Sequence, residues 1–204
     1  MIRNVVFDMG QVLIRWQPAA LTARLGLSAE DDALLTRELF QNVEWVMLDR
    51  GVITPEEVTR RVCARLPERL HGAVARLTES WWEIYLDPVP GMAELVGQLK
   101  AAGCGIYLLS NASVALRTYF PRIPGSEYFD GLMVSAEEKL VKPQPEIFRL
   151  LCDRFHLKPE ECVFVDDSPA NVESAILTGM DGLVFYGDAQ RLRRELTEKG
   201  ISLP

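Results

Sequence analysis

The chain has 204 residues, 48% apolar and 25% charged, with a net charge of −7. That length suits one globular domain, or one domain carrying an inserted subdomain, with a sizeable core. The acidic balance argues against a nucleic-acid surface, which would recruit Lys and Arg to phosphates, yet it leaves room for a small anionic substrate at a local positive site.

The first apolar run, Val5-Val6-Phe7, reads as a strand buried on both faces, ending in Asp8. Residues 15–87 then carry helical spacing and no strand pattern. Pro18 suits a first helical turn, and Ser28 with Asp31 forms a cap. Val43, Val46 and Met47 mark a short helix ending near Gly51. Thr54-Pro55-Glu56-Glu57 is a helix start in which Glu57 completes a capping box. Leu70, Val74, Leu77, Trp81 and Tyr85 make an apolar stripe on the next helix.

At Asp87-Pro88-Val89-Pro90-Gly91 the character changes. From there helices alternate with strands at 105–109, 131–134, 162–165 and 182–185. Ser113 and Ser168 read as helix caps, and Gly103 and Gly179 as helix stops. The pattern is α/β: a doubly wound, parallel-sheet, Rossmann-like core of residues 1–14 and 88–204, with an all-helical insertion at 15–87. His156 closes a helix, His71 has no recognisable partner, and Cys63, Cys104, Cys152 and Cys162 lack metal-site spacing. A His-based triad and a zinc site are therefore disfavoured. No secretory h-region and no membrane-length apolar run is present, so a cytoplasmic protein with no membrane association is expected, as a monomer or weak dimer.

Three strands end in polar groups: Asp8, Ser110-Asn111 and Asp166-Asp167. Lys142 precedes Pro143, which biases it to an extended backbone. If the strands are neighbours, the carboxylates meet at one sheet edge and repel unless a cation joins them. Mg²⁺ suits carboxylates, carbonyls and phosphate oxygens. Lys142 adds positive charge and keeps Asp8 ionised, as a nucleophile requires. Taken singly, each of these is a turn residue or a surface charge. Their order is what points to phosphoryl transfer.

Together the motifs resemble the haloacid dehalogenase superfamily, in its branch with a helical cap after the first strand. VVFDMGQVL is similar to its first motif, LLSN to its second, the lysine of VKPQPEIF to its third and VFVDDSPANVESA to its fourth. The Phe-Asp-x-Gly-x-Val form and the stretch Arg117 to Pro121 resemble bacterial glucose-1-phosphate phosphatase-type proteins and the phosphatase domain of soluble epoxide hydrolases. The resemblance implies a Mg²⁺-dependent phosphatase acting on a small phosphorylated metabolite, a sugar phosphate above all. It makes Asp8 the nucleophile and Ser110 and Asn111 the phosphate-binding pair. Lys142 becomes the neutralising cation. Asp8, Asp167, the carbonyl of Gly10 and, through water or Lys142, Asp166 form the metal site. Arg50, in the turn 50–54, and Trp16 are candidates for substrate specificity, although core packing or a solvated face is the simpler role for each.

One position departs from the pattern. Phosphatases of this superfamily usually carry an acid/base Asp two residues after the nucleophile; here that residue is Gly10. Three accounts stand open: another group or a water carries the proton, the leaving group needs little help, or the protein is a weak catalyst or a phosphate-binding module. A metal-independent 2-haloacid dehalogenase is a further alternative, disfavoured by the unneutralised Asp166-Asp167 pair.

Overall fold

A computed structural model describes residues 1–203. Its strands are β1 (Asn4–Phe7), β2 (Gly105–Ser110), β3 (Gly131–Val134), β4 (Cys162–Asp166) and β5 (Asp181–Val184). They form one parallel sheet in the order β3-β2-β1-β4-β5. The chain therefore runs outward from β1 in both directions, and β1 is the topological switch point. In such sheets ligands bind at that crevice, beyond the carboxyl ends of the strands.

Apolar residues on both faces explain why these strands are interior. Val5 and Phe7 point into one cluster with Ile106, Leu108, Val163 and Val165, while Val6, Leu109 and Phe164 point into another. Helix α9 (Pro145–Phe155) and helix α10 (Pro169–Leu177) cover the second face through Ile147, Phe148, Leu151 and Ala175. Helices α6 (Met92–Ala101) and α11 (Ala189–Glu198) cover the first through Leu95, Leu99, Leu192 and Leu196. His156 ends α9 in the left-handed conformation that stops a helix. All four cysteines are free, and Cys104, Cys152 and Cys162 are buried.

Residues 15–87 hold α1 (Pro18–Thr22), α2 (Ala29–Leu35), α3 (Val43–Asp49), α4 (Pro55–Cys63) and α5 (His71–Ile84), and no named strand. The segment leaves and returns at one place. Arg15 N donates to the Asp87 carbonyl at 2.7 Å and Val89 N to the Leu13 carbonyl at 2.9 Å. Leu35, Leu39, Val58, Val62, Leu70, Val74 and Leu77 join the same apolar cluster as Val5 and Phe7, so the core continues from the sheet into the helices.

Local signals fared unevenly. Pro18 and Pro55 open their helices, and Ser28 and Thr54 accept the N–H groups of Asp31 and Glu57. The Glu57 side chain does not reach back to complete a box; Arg60 and Arg61 draw it away at 2.6–2.8 Å. Helix α3 forms, but Val43 and Val46 face solvent and Glu44 is buried, held by Arg65 at 2.8 and 3.1 Å. Ser113 does not cap: α7 (Leu116–Tyr119) begins later, and Ser113 offers only its carbonyl, to Leu116 N.

Candidate active site

Parallel register brings the strand ends together. Phe7 pairs with both Leu108 and Val165, and Asp8 N continues the ladder onto the Val165 carbonyl at 2.9 Å. One residue further along each strand are Asp8, Leu109 and Asp166, followed by Ser110 and Asp167. Past Asp8 the chain turns tightly. The Met9 carbonyl accepts from Leu13 N and Ile14 N at 2.8 and 3.0 Å, and Gln11 takes a left-handed φ of 58°. Gln11 Nε2 then donates to the Trp16 carbonyl at 2.9 Å, tying the Trp16 backbone to this turn.

Lys142 lies between two carboxylates. Its Nζ is 2.7 Å from Asp8 Oδ1 and 2.6 Å from Asp166 Oδ2, with its side chain 1% exposed. Burial pushes the ammonium towards the neutral form, but Asp8 and Asp166 outweigh it and hold the pKa above its ordinary value. The two Asp166 oxygens also accept from Ser168 N at 2.8 Å and from Asn171 Nδ2 at 3.0 and 3.1 Å. Thus the start of α10 is fastened by Asp166, not by the Ser168 hydroxyl. Asn171 was not singled out from the sequence, although its place in the first turn after Asp166-Asp167 is where a side chain can reach back to a strand end.

Asp8, Asp166 and Asp167 each bring one carboxylate oxygen within 4.8 Å of the others. Three carboxylates against one ammonium leave two negative charges uncompensated. Burial, with the charge of Asp166, raises Asp8 to about 6 even though Lys142 pulls it down. Asp167 is raised for the same two reasons. Such a set suits a divalent cation with oxygen ligands, which would neutralise it.

Asp8, Lys142 and Asp167 line a cavity of about 280 Å³ together with Gly10, Ser110 and Asn111, while Asp166 lies buried behind it. A Cβ built on Gly10 would meet only Trp16 Cβ, at 3.7 Å, so packing does not demand glycine there. The helical segment contributes Trp16, Trp45, Trp81 and Asp49 to the lining. Trp16 stacks on Trp45 with ring centroids 5.7 Å apart and meets Trp81 edge-on at 4.6 Å. Three of the four tryptophans therefore serve the cavity as well as the packing. Arg50 is absent from this lining; its guanidinium donates to Gln144 Oε1 at 2.6 Å on the core side. Asp49, not singled out from the sequence, carries one faint signal. It is the last residue of α3, and a negative charge at a helix C-terminus opposes the macrodipole.

The turn 49–51 is seated on the core. Ser135 Oγ donates to the Asp49 carbonyl at 2.5 Å and accepts from Ala112 N at 2.9 Å. The Gly51 carbonyl accepts from Lys139 Nζ. Gly51 has φ +69° and lies so close to the Ala136 backbone that a Cβ would come within 2.1 Å of its oxygen.

Comparison with known proteins agrees with this geometry. Residues 2–179 match the haloacid dehalogenase-like hydrolases. A sesquiterpene phosphatase of Aspergillus oryzae is 29% identical over 89% of this chain and 88% of its own length. A (S)-2-haloacid dehalogenase of Burkholderia cepacia is 27% identical over 82% of this chain and 75% of its own. Some longer relatives are matched over less than two thirds of their length. Among solved structures, a Bacteroides thetaiotaomicron enzyme in complex with magnesium and inorganic phosphate superposes with a TM-score of 0.69 at 22% identity, covering 94% of this chain and 99% of that one. A match over most of the chain, on a parallel sheet of the same fold, makes this protein a member of the haloacid dehalogenase-like hydrolases.

Proposed function

We propose that the protein is a Mg²⁺-dependent phosphatase of small phosphate monoesters, a sugar phosphate among them, working through an aspartyl-phosphate on Asp8. The observation that carries this reading is the charge balance at the switch point: a buried Asp8–Lys142–Asp166 triad beside Asp167, two negative charges in excess. A substrate phosphate brings further negative charge, so the site calls for a divalent cation. Mg²⁺, when bound, would supply that charge and hold a phosphate oxygen; Asp8, Asp167 and the Gly10 carbonyl would hold the ion, with Asp166 behind them.

The protein's own groups divide the remaining work. Asp8 attacks phosphorus. Lys142 holds the attacking carboxylate in place and lowers the charge felt by the phosphoryl oxygens. The Ser110 hydroxyl donates to one of those oxygens, a role supported by its position at the end of β2 on the cavity. Residues 15–87 act as a cap over the core of 1–14 and 88–204, excluding water and meeting the leaving group with Trp16, Trp45 and Trp81.

The test is a phosphate-release screen over sugar phosphates, nucleotides and p-nitrophenyl phosphate, with and without EDTA and with Asp8→Asn as control. Release that needs Mg²⁺ and is lost in Asp8→Asn supports the reading. Activity retained in Asp8→Asn would sink the mechanism. Halide release from 2-haloacids that survives EDTA would instead favour the chemistry named for the Burkholderia relative.

A further inference from the structure

Gly10 leaves the core loop without a proton donor for the leaving oxygen. An acid at that position would rise from the core loop. Gly10 offers none, and the core carboxylates that line the cavity, Asp8 and Asp167, belong to the nucleophile and the cation site. One carboxyl on the cavity wall is left over, that of Asp49. Among the described residues it has no ion pair and no side-chain hydrogen bond. It is carried by the helical segment, at the end of α3, and not by a strand end.

That placement matters for an in-line displacement. Attacking and leaving oxygens lie on opposite sides of phosphorus. If Asp8 attacks from the strand ends, the leaving oxygen faces the helical segment, where Asp49 stands. The backbone of Asp49 is fixed to the core through Ser135 and the close approach of Gly51 to Ala136.

Given the phosphatase reading above, we propose that Asp49 is the general acid and base of this enzyme, donated by the helical segment in place of the residue absent at Gly10. The bookkeeping of atoms is complete. Asp8 forms the new P–O bond, the ester P–O bond breaks, and the leaving oxygen takes the proton of Asp49. The Asp49 carboxylate then accepts a proton from water as that water attacks phosphorus. The Asp8–phosphorus bond breaks, and inorganic phosphate leaves with both carboxyls restored. The environment agrees: burial, reinforced by the charge of Asp8, raises the Asp49 carboxyl well above its ordinary range, the direction that favours an acid.

The experiment compares Asp49→Asn with wild type on an alkyl phosphate and on p-nitrophenyl phosphate, in Mg²⁺, by rapid mixing. Loss of an acid should slow alkyl phosphate turnover by about 10²-fold or more. With p-nitrophenyl phosphate, whose leaving group needs no proton, one equivalent should be released near the wild-type rate, followed by slow turnover for want of a base. Alkyl turnover within about threefold of wild type overturns the proposal. So does an equal loss of the first release on both substrates, the mark of a positioning role. Asp49→Glu keeps a carboxyl and should recover part of the alkyl activity; Glu no better than Asn also overturns it. A wild type that releases no phosphate from any ester fails the phosphatase reading before Asp49 is changed, so the two failures are distinct.

Discussion

The side chain of Asn111 holds the backbone of Lys142 at two points: Lys142 N donates to Asn111 Oδ1 at 2.8 Å, and Asn111 Nδ2 donates to the Lys142 carbonyl at 3.0 Å. The end of β2 thereby sets the position of a lysine thirty-one residues later. Asn111→Ala should remove both bonds while leaving every charge in place. Two neutral hydrogen bonds are worth about 1–3 kcal/mol together, so kcat should fall about fivefold or more with KM for Mg²⁺ little changed. Wild-type kcat in Asn111→Ala would show that Lys142 is held by its ion pairs alone.

Lys142 is itself a stability element. Its ammonium is buried between Asp8 and Asp166. Removing one partner of a buried pair typically costs about 3–5 kcal/mol, because the other charges are left uncompensated. Lys142→Ala should lose about that much in urea unfolding of metal-free protein at pH 7, and less in saturating Mg²⁺. A loss below about 1 kcal/mol would mean that solvent screens the triad as it would a surface pair.

The raised Asp8 pKa predicts how pH and metal trade places. Its folded value, about 6, lies above the ordinary 3.8. The contribution of Asp8 to metal-free stability is therefore complete below about 4 and lost as pH rises through about 6. Protons and Mg²⁺ compete for the same carboxylate. The Mg²⁺-induced rise in Tm should be larger at pH 7.5 than at pH 5. Equal rises at the two pH values would place the cation away from Asp8.

Gly10→Asp restores a carboxyl where the backbone leaves room for a Cβ. It should accelerate turnover of alkyl phosphates more than of aryl phosphates, by up to about tenfold, since only the former need a proton. Equal effects on both, or a loss on both in a variant that still binds Mg²⁺, would count against a proton-limited step.

Gly51→Ala should unseat the turn that carries Asp49. The positive φ and the contact with Ala136 leave no space for a methyl group. Such changes cost more than about 1 kcal/mol. Loss of Tm with a larger loss of kcat than of Mg²⁺ affinity is expected. An unchanged Tm would mean that the turn relaxes without strain.

The sheet and the strand-end residues were legible because their signals are local. A run such as Val5-Val6-Phe7 announces burial on both faces, and the residue that follows it must stand at the edge. Repeating this at β2 and β4 was enough to gather Asp8, Ser110 and Asp167 on one cavity, with Asp166 beside them. Asn171 and the Asn111 clamp were not legible, since they depend on which way a side chain turns back. The cap wall was harder still. The turn after α3 could be picked out, but adjacent helical residues point about 100° apart, and packing against Ser135 and Gln144 decides that Asp49 lines the cavity while Arg50 turns to the core. Trp16, Trp45 and Trp81 come from three separate stretches and meet only in the folded chain.

The two crossings between the sheet and the helical segment are bonded to each other, Arg15 to Asp87 and Val89 to Leu13. They make a short two-stranded ribbon, braced by a salt bridge between Arg15 and Asp87 at 3.6 Å. A body joined at one ribbon and seated on the core through Ser135, Lys139 and Gln144 can swing about that ribbon only by releasing those contacts. Such a movement would carry Asp49 and the tryptophans away together while Asp8, Lys142 and Asp166 stay fixed in the frame. Entry of substrate and assembly of the full reactive set would then be two ends of one swing.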